Sequence, residues 1–125
     1  MKPQERHNES REDYLEAILR ITQRKGLCRS VDIADQLEIS KPSVSVAMVN
    51  LREAGLIEME SDKRILLTEA GREIAERIYR RHVYFKKLLQ SAGVEEGVAE
   101  HEACSLEHAV SEDSFKKIEA YLGER

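Results

Sequence analysis

No apolar run in the chain approaches the roughly 18 residues that a membrane-spanning helix needs. The opening residues, Met1-Lys2-Pro3-Gln4-Glu5-Arg6, lack the apolar core of a secretion signal, so a cytoplasmic protein is expected. Cysteine is scarce. Cys28 and Cys104 make no disulfide framework, and in a reducing compartment such thiols are either buried or metal ligands. Two prolines leave little room for long disordered linkers. There is no cationic excess: 20 Lys and Arg against 24 Asp and Glu give a net charge of −4. That balance excludes a bulk-cationic binder of nucleic acid or membrane, and any contact with DNA must come from a local basic patch. What the 125 residues do hold is 41% hydrophobic and 35% charged side chains, enough for a modest core under a charged surface.

Periodicity predicts a mainly α protein. Tyr14, Ile18 and Ile21 recur at helical spacing, so residues 10–25 read as an amphipathic helix capped by Ser10. Ser30 starts a short helix to Leu37, with Ile33, Ala34 and Leu37 on its buried face. Glu38-Ile39 is a tight connection. Ser40 caps a helix over 41–54, with Pro42 in the first turn, where its missing N–H costs nothing, and Gly55 as the stop. Two short helices joined by a turn of about three residues make a helix-turn-helix. Leu56–Glu60 and Arg64–Thr68 read as strands around a Ser61-Asp62-Lys63 turn, the small β-hairpin wing of a winged helix-turn-helix. Thr68 caps a long helix to about Ala92, in which Gly71 and Ala75 permit close packing on the hairpin. A helix over 94–109 and a last one over 112–122, capped by Ser111, complete an all-helical second half. The expected division is a DNA-binding domain over 1–70 and a helical domain over 71–125.

The second helix of a helix-turn-helix lies in the major groove and reads bases with its N-terminal residues. Here these are Ser40, Lys41, Pro42, Ser43, Ser45 and Val46. Hydroxyls bond several base edges and apolar groups meet the thymine methyl. With no Arg, Asn or Gln in the first two turns, DNA shape carries part of the readout. Arg29, Arg52, Lys63 and Arg64 are candidates for phosphate contacts.

The second half holds the metal chemistry. Cys104, Glu107 and His108 stand at i, i+3 and i+4, on one helical face. Thiolate, carboxylate and imidazole together suit a borderline first-row ion. Glu100 and His101 lie about a turn earlier, and His82 offers a further imidazole from the preceding helix. Asp13 and Glu16, three apart on the first helix, are the candidate ligands from the other half. The plainer alternatives remain open at this point: Asp13 as the acid of a capping box, and Cys104 as a core filler. Catalytic Cys–His chemistry on the 104–108 face lacks an oxyanion donor or an orienting partner.

Glu12-Asp13-Tyr14-Leu15-Glu16 resembles the first-helix signature of the diphtheria-toxin-repressor/manganese-transport-regulator family. The resemblance extends through Ile39-Ser40-Lys41-Pro42-Ser43-Val44-Ser45, Leu67-Thr68-Glu69-Ala70-Gly71, Arg81-His82 and Glu102-Ala103-Cys104-Ser105-Leu106-Glu107-His108. It covers roughly residues 9–122, in order. It implies a homodimeric, metal-activated transcriptional repressor of metal-homeostasis genes, bound to double-stranded DNA at a near-palindromic operator. The implied cofactor is Mn²⁺ or Fe²⁺, with Co²⁺ or Zn²⁺ as substitutes in vitro. It also implies the short manganese-regulator type, without a C-terminal barrel. In the manganese branch the ligands match Asp13, Glu16, His82, Glu107 and His108, with a glutamate where this chain has Cys104. The iron-responsive branch has the Cys-x-x-Glu-His run but a methionine at the position of Asp13. That branch also pairs the equivalent of His82 with an acid one turn later and a further histidine. Here those positions are Lys86 and Glu100. A second ion would use His82, Glu16 and Glu100, opposed by the Lys86 ammonium. The alternatives are a metal-independent winged-helix regulator and a small metallohydrolase.

Overall fold

The computed structural model describes the backbone of residues 3–123 and the side chains of residues 11–123. Six helices and two strands follow one another: α1 (Pro3–Lys25), α2 (Ser30–Leu37), α3 (Lys41–Glu53), β1 (Ile57–Met59), β2 (Ile65–Leu67), α4 (Glu69–Ser91), α5 (Glu96–Leu106) and α6 (Glu112–Leu122). This is the mainly α architecture with one hairpin that the periodicity predicts. Helix α1 begins at Pro3 rather than at Ser10, and the Ser10 side-chain cap lies outside the described residues. The chain divides into two compact units, Met1–Glu76 and Arg77–Arg125.

In the first unit, Leu15, Ile18 and Ile21 of α1 are fully buried, as are Ile33 of α2 and Val44 of α3. Helix α2 starts at Ser30 behind an Arg29 N-cap, whose backbone N–H donates to Asp32 Oδ2 at 2.9 Å. Glu38 closes α2 in the left-handed conformation (φ 57°), and Ile39 N–H donates back to the Ala34 carbonyl at 3.2 Å. The chain thereby turns within three residues into the Ser40 cap, whose Oγ accepts from Ser43 N–H at 3.2 Å. The strands are antiparallel, with Ile57 opposite Leu67, Glu58 opposite Leu66 and Met59 opposite Ile65. Each is one residue shorter at either end than the sequence suggests. Ile57 and Ile65 are buried and their successors Glu58 and Leu66 are exposed, the period-two alternation of a half-covered hairpin. Ile65 N–H also donates to the Cys28 carbonyl at 2.8 Å, tying the wing to the α1–α2 connection. Cys28 itself is buried, and burial pushes its thiol up to about 12.

Thr68 starts α4: its Oγ1 accepts from Gly71 N–H at 3.1 Å and donates to the Gly55 carbonyl at 2.7 Å. A Cβ at Gly71 would stand 2.0 Å from the Leu56 carbonyl oxygen, so only glycine fits there.

In the second unit, Phe85, Ala103 and Phe115 form a buried cluster, with Tyr84, Leu88, Leu106 and Val110 packed against it. Arg81 is almost fully buried. Its guanidinium donates to the carbonyls of Glu107 (3.1 Å) and Val110 (2.8 Å) and to Glu112 Oε1 (2.9 Å). One side chain of α4 thus satisfies the carbonyls freed where α5 ends. Helix α5 starts at a Glu95 cap, whose carboxylate accepts from Gly97 and Val98 N–H, later than the expected start at Val94. It stops at Leu106, so Glu107 and His108 lie in the turn beyond it and not on the helix itself.

Candidate metal centre and nucleic-acid interface

His82 lies at the middle of the second unit's ionisable cluster. It projects from α4 and is 2% exposed. Its Nε2 lies 2.7 Å from Glu100 Oε2, and its Nδ1 lies 3.2 Å from Glu107 Oε2 and 3.7 Å from Cys104 Sγ. Cys104 Sγ is 4.0 Å from Glu100 Oε2, and donor atoms of His82, Glu100 and Cys104 all fall within 4.8 Å of one another. Glu107 is fully buried, with its other oxygen 3.4 Å from His108 Nε2. At the outer edge, Lys86 Nζ lies 3.1 Å from Glu100 Oε1.

The electrostatics follow from this crowding. Burial alone would lower the pKa of His82, but the acceptors Cys104, Glu107 and Glu100 outweigh it and raise the imidazole to about 10. Two carboxylates and a thiol converge on one ring, and the Glu107 carboxyl is fully enclosed. Such a buried acid needs compensating positive charge. The donors are sulfur, nitrogen and oxygen, the mixture that borderline divalent ions take. The residues present therefore fit a divalent metal ion.

The sequence-derived ligands fall as follows. His82, Glu100, Cys104, Glu107 and His108 form one connected cluster, with His82 rather than Cys104 at its hub. His101 is exposed and lies outside it. Asp13 and Glu16 both lie on α1, partly buried and buried respectively. Two further residues shape the cluster: Arg81, which anchors the end of α5, and Lys86, which pairs with Glu100. Arg81 carries no sequence signal besides its place in the Arg81-His82 pair.

In the first unit, Lys41, Pro42, Ser43, Ser45 and Val46 are exposed on the N-terminal turns of α3, Val46 at 63%, and Arg52 is exposed in its last turn. Ser40 is exposed too, but its hydroxyl is engaged at the cap and with Ser43 Oγ at 2.9 Å. Asn50, which sequence reading left out, is exposed on α3 and lines a cavity of about 220 Å³ with Arg11, Tyr14, Ser43 and Val46. Lys63 and Arg64 are exposed at the wing tip, and Arg29 reaches the same turn: its Nε donates to the Asp62 carbonyl at 3.3 Å. Arg29, Lys63 and Arg64 thus gather around one turn, whereas Lys41 and Arg52 stand at opposite ends of α3.

Comparison with known proteins agrees with this division of labour. Residues 8–65 match the domain family described as iron dependent repressor, N-terminal DNA binding domain. Residues 68–125 match the iron dependent repressor, metal binding and dimerisation domain. The transcriptional regulator MntR of Escherichia coli O157:H7 is 34% identical over 104 residues, covering 83% of this chain and 67% of the relative. The HTH-type transcriptional regulator MntR of Listeria welshimeri is 30% identical over 109 residues, covering 87% and 77%. Among solved structures, T. acidophilum IdeR superposes with a TM-score of 0.77 at 26% identity, over 90% of this chain and 53% of that one. The chain thus spans about half the length of that solved relative.

Proposed function

The chain belongs to the diphtheria-toxin-repressor/manganese-transport-regulator family of transcriptional regulators, and from that membership we propose that it is a metal-activated repressor of divalent-metal homeostasis genes. The observation that carries this reading is the buried cluster around His82, with Glu107 fully enclosed and Cys104 and Glu100 alongside.

In this reading Cys104, Glu107 and His108 hold the activating ion. His82 and Glu100 are the second group of donors. The bound ion favours the state able to bind DNA, because a ligand shifts an equilibrium towards the state it binds better. A thiolate at position 104, where the manganese branch has a carboxylate, tilts the choice towards Fe²⁺ over Mn²⁺.

The DNA-binding unit works as a twofold dimer on a near-palindromic operator, so that operator symmetry mirrors protein symmetry. Val98 and Tyr121, exposed at 47% and 88%, leave apolar surface on the second unit for the partner copy. Ser43, Ser45 and Val46 face the base edges, while Lys41, Arg52, Lys63, Arg64 and Arg29 meet phosphates. No described helix is long and apolar enough to cross a membrane, and the protein acts in the cytoplasm, where its DNA lies. A metallohydrolase is disfavoured because the named relatives are transcriptional regulators.

The test is anaerobic operator binding across a series of divalent metals. Tight binding only with metal, and tightest with Fe²⁺, is expected. Equal affinity with chelator and with every ion would leave a metal-independent regulator.

A further inference from the structure

Glu100 is shared between an imidazole and an ammonium. One carboxylate oxygen lies 2.7 Å from His82 Nε2 and the other 3.1 Å from Lys86 Nζ. The same ammonium stands 3.8 Å from Glu96 Oε1, and the Lys86 side chain is only 25% exposed. Lys86 follows His82 by one turn of α4, and Glu96 and Glu100 are one turn apart on α5. The ammonium is thus placed to meet the two carboxylates at the outer edge of the cluster.

We propose that Lys86 is a built-in cation that takes the place of a second divalent ion beside His82 and Glu100, so that the protein loads one ion per protomer. The proposal rests on the metal-regulator reading above. Three physical points support it. A divalent ion bound to Glu100 would lie within a few ångströms of the ammonium, and like charges so close, on side chains only partly open to solvent, repel. Lys86 and an ion would also compete for the same carboxylate oxygens, and Glu96, one turn before Glu100 on α5, faces Lys86 as well. Finally, the ammonium is tethered. Its local concentration is set by the chain and not by the metal supply, so it need not be recruited from solution. The Lys86–Glu100 pair therefore keeps the outer half of the cluster neutralised at any metal level, and the remaining donors respond to the first ion alone.

The test is anaerobic equilibrium dialysis of the full chain against Co²⁺ and against Mn²⁺, with bound metal counted by mass spectrometry and thermal melts confirming that each variant is folded. Wild type and Lys86→Arg are expected to bind one ion per protomer. Lys86→Gln should tighten a second site at least tenfold, and Lys86→Glu should bind two ions. The second ion should be lost again when His82→Gln is added to Lys86→Glu. Two ions in wild type, with number and affinity unchanged in Lys86→Gln, would overturn the proposal and leave the metal-regulator reading standing. No ion in wild type or in any variant would overturn that reading and the proposal with it.

Discussion

Asp62 holds Arg64 across the wing turn: its Oδ2 lies 2.9 Å from Arg64 Nε, and its Oδ1 accepts from the Arg64 backbone N–H at 3.1 Å. Those contacts keep the Asp62 carboxyl below the usual carboxylate range. The guanidinium of Arg29 approaches the same carboxylate at 4.0 Å. Exposed pairs of this kind add little to stability. Their effect falls on the charge the wing offers to phosphates. Asp62→Ala is expected to strengthen DNA binding at all sequences alike and to steepen its salt dependence by about one unit of slope. Fluorescence anisotropy over a salt series measures both. Lys41→Ala should lower the slope magnitude by about the same amount.

Lys63 occupies the left-handed region at φ 70°, in a three-residue turn closed by Lys63 N–H to the Glu60 carbonyl and Glu60 N–H to the Arg64 carbonyl, both 2.9 Å. A residue with a Cβ costs about 1–2 kcal/mol there, and glycine gives back part of that gain through unfolded-state entropy. Lys63→Gly should therefore raise stability by about 0.5–1 kcal/mol while weakening DNA binding through the lost cation. Thermal unfolding and anisotropy on one sample separate the two effects.

Gly71→Ala should cost about 3 kcal/mol or more, because the new methyl meets the Leu56 backbone carbonyl and not a movable side chain. Chemical denaturation measures it. Gly97→Ala is a useful contrast, since the nearest atoms there belong to the Glu95 side chain at 3.2 Å.

Several local devices of this fold are readable from sequence: the Ser40 and Ser111 caps, the stop at Gly55, the Thr68 start, and Gly71 as a point of close approach. Each depends on a few neighbouring residues, so spacing alone reveals it. The Glu95 cap of α5 is not among them. What sequence concealed depends on contacts distant along the chain. Arg81 reaches 26 to 31 residues ahead to bind the end of α5 and the start of α6. His82 is the hub of the cluster because α4 and α5 face one another there, which no spacing rule expresses. The expected helical face of Cys104, Glu107 and His108 is also altered, because α5 ends at Leu106. Lys86 shows its function only through where it points.

The elevated pKa of His82 makes metal-free stability depend on pH. Its folded value of about 10 lies above the ordinary 6.5, so its contribution is fully present below about 6.5 and disappears as pH rises through about 10. Metal-free protein should lose stability between those limits, and His82→Gln should flatten the profile. Metal affinity should move the other way and increase with pH, since the positive imidazolium beside Cys104 and Glu107 repels an incoming cation until its proton is lost. Thermal melts in chelator and metal titrations across the same pH series check the two signs.

With Co²⁺, coordination by Cys104 is expected to give a sulfur-to-metal charge-transfer band. Cys104→Glu should abolish the band and shift activation towards Mn²⁺. Cys104→Ala should weaken activation by every ion. A silent Co²⁺ spectrum with normal metal response in Cys104→Ala would make Cys104 a packing residue.

The burial of Cys28 gives the chain a practical asymmetry. With its thiol pushed up to about 12, Cys28 is almost wholly un-ionised at neutral pH and shielded from reagents. Alkylation of the native protein then falls on Cys104 alone, inside the cluster that would hold the ion. A bound ion masks that sulfur and a chelator exposes it. The rate at which a maleimide is consumed becomes a direct gauge of occupancy, with no engineered label and no DNA in the assay.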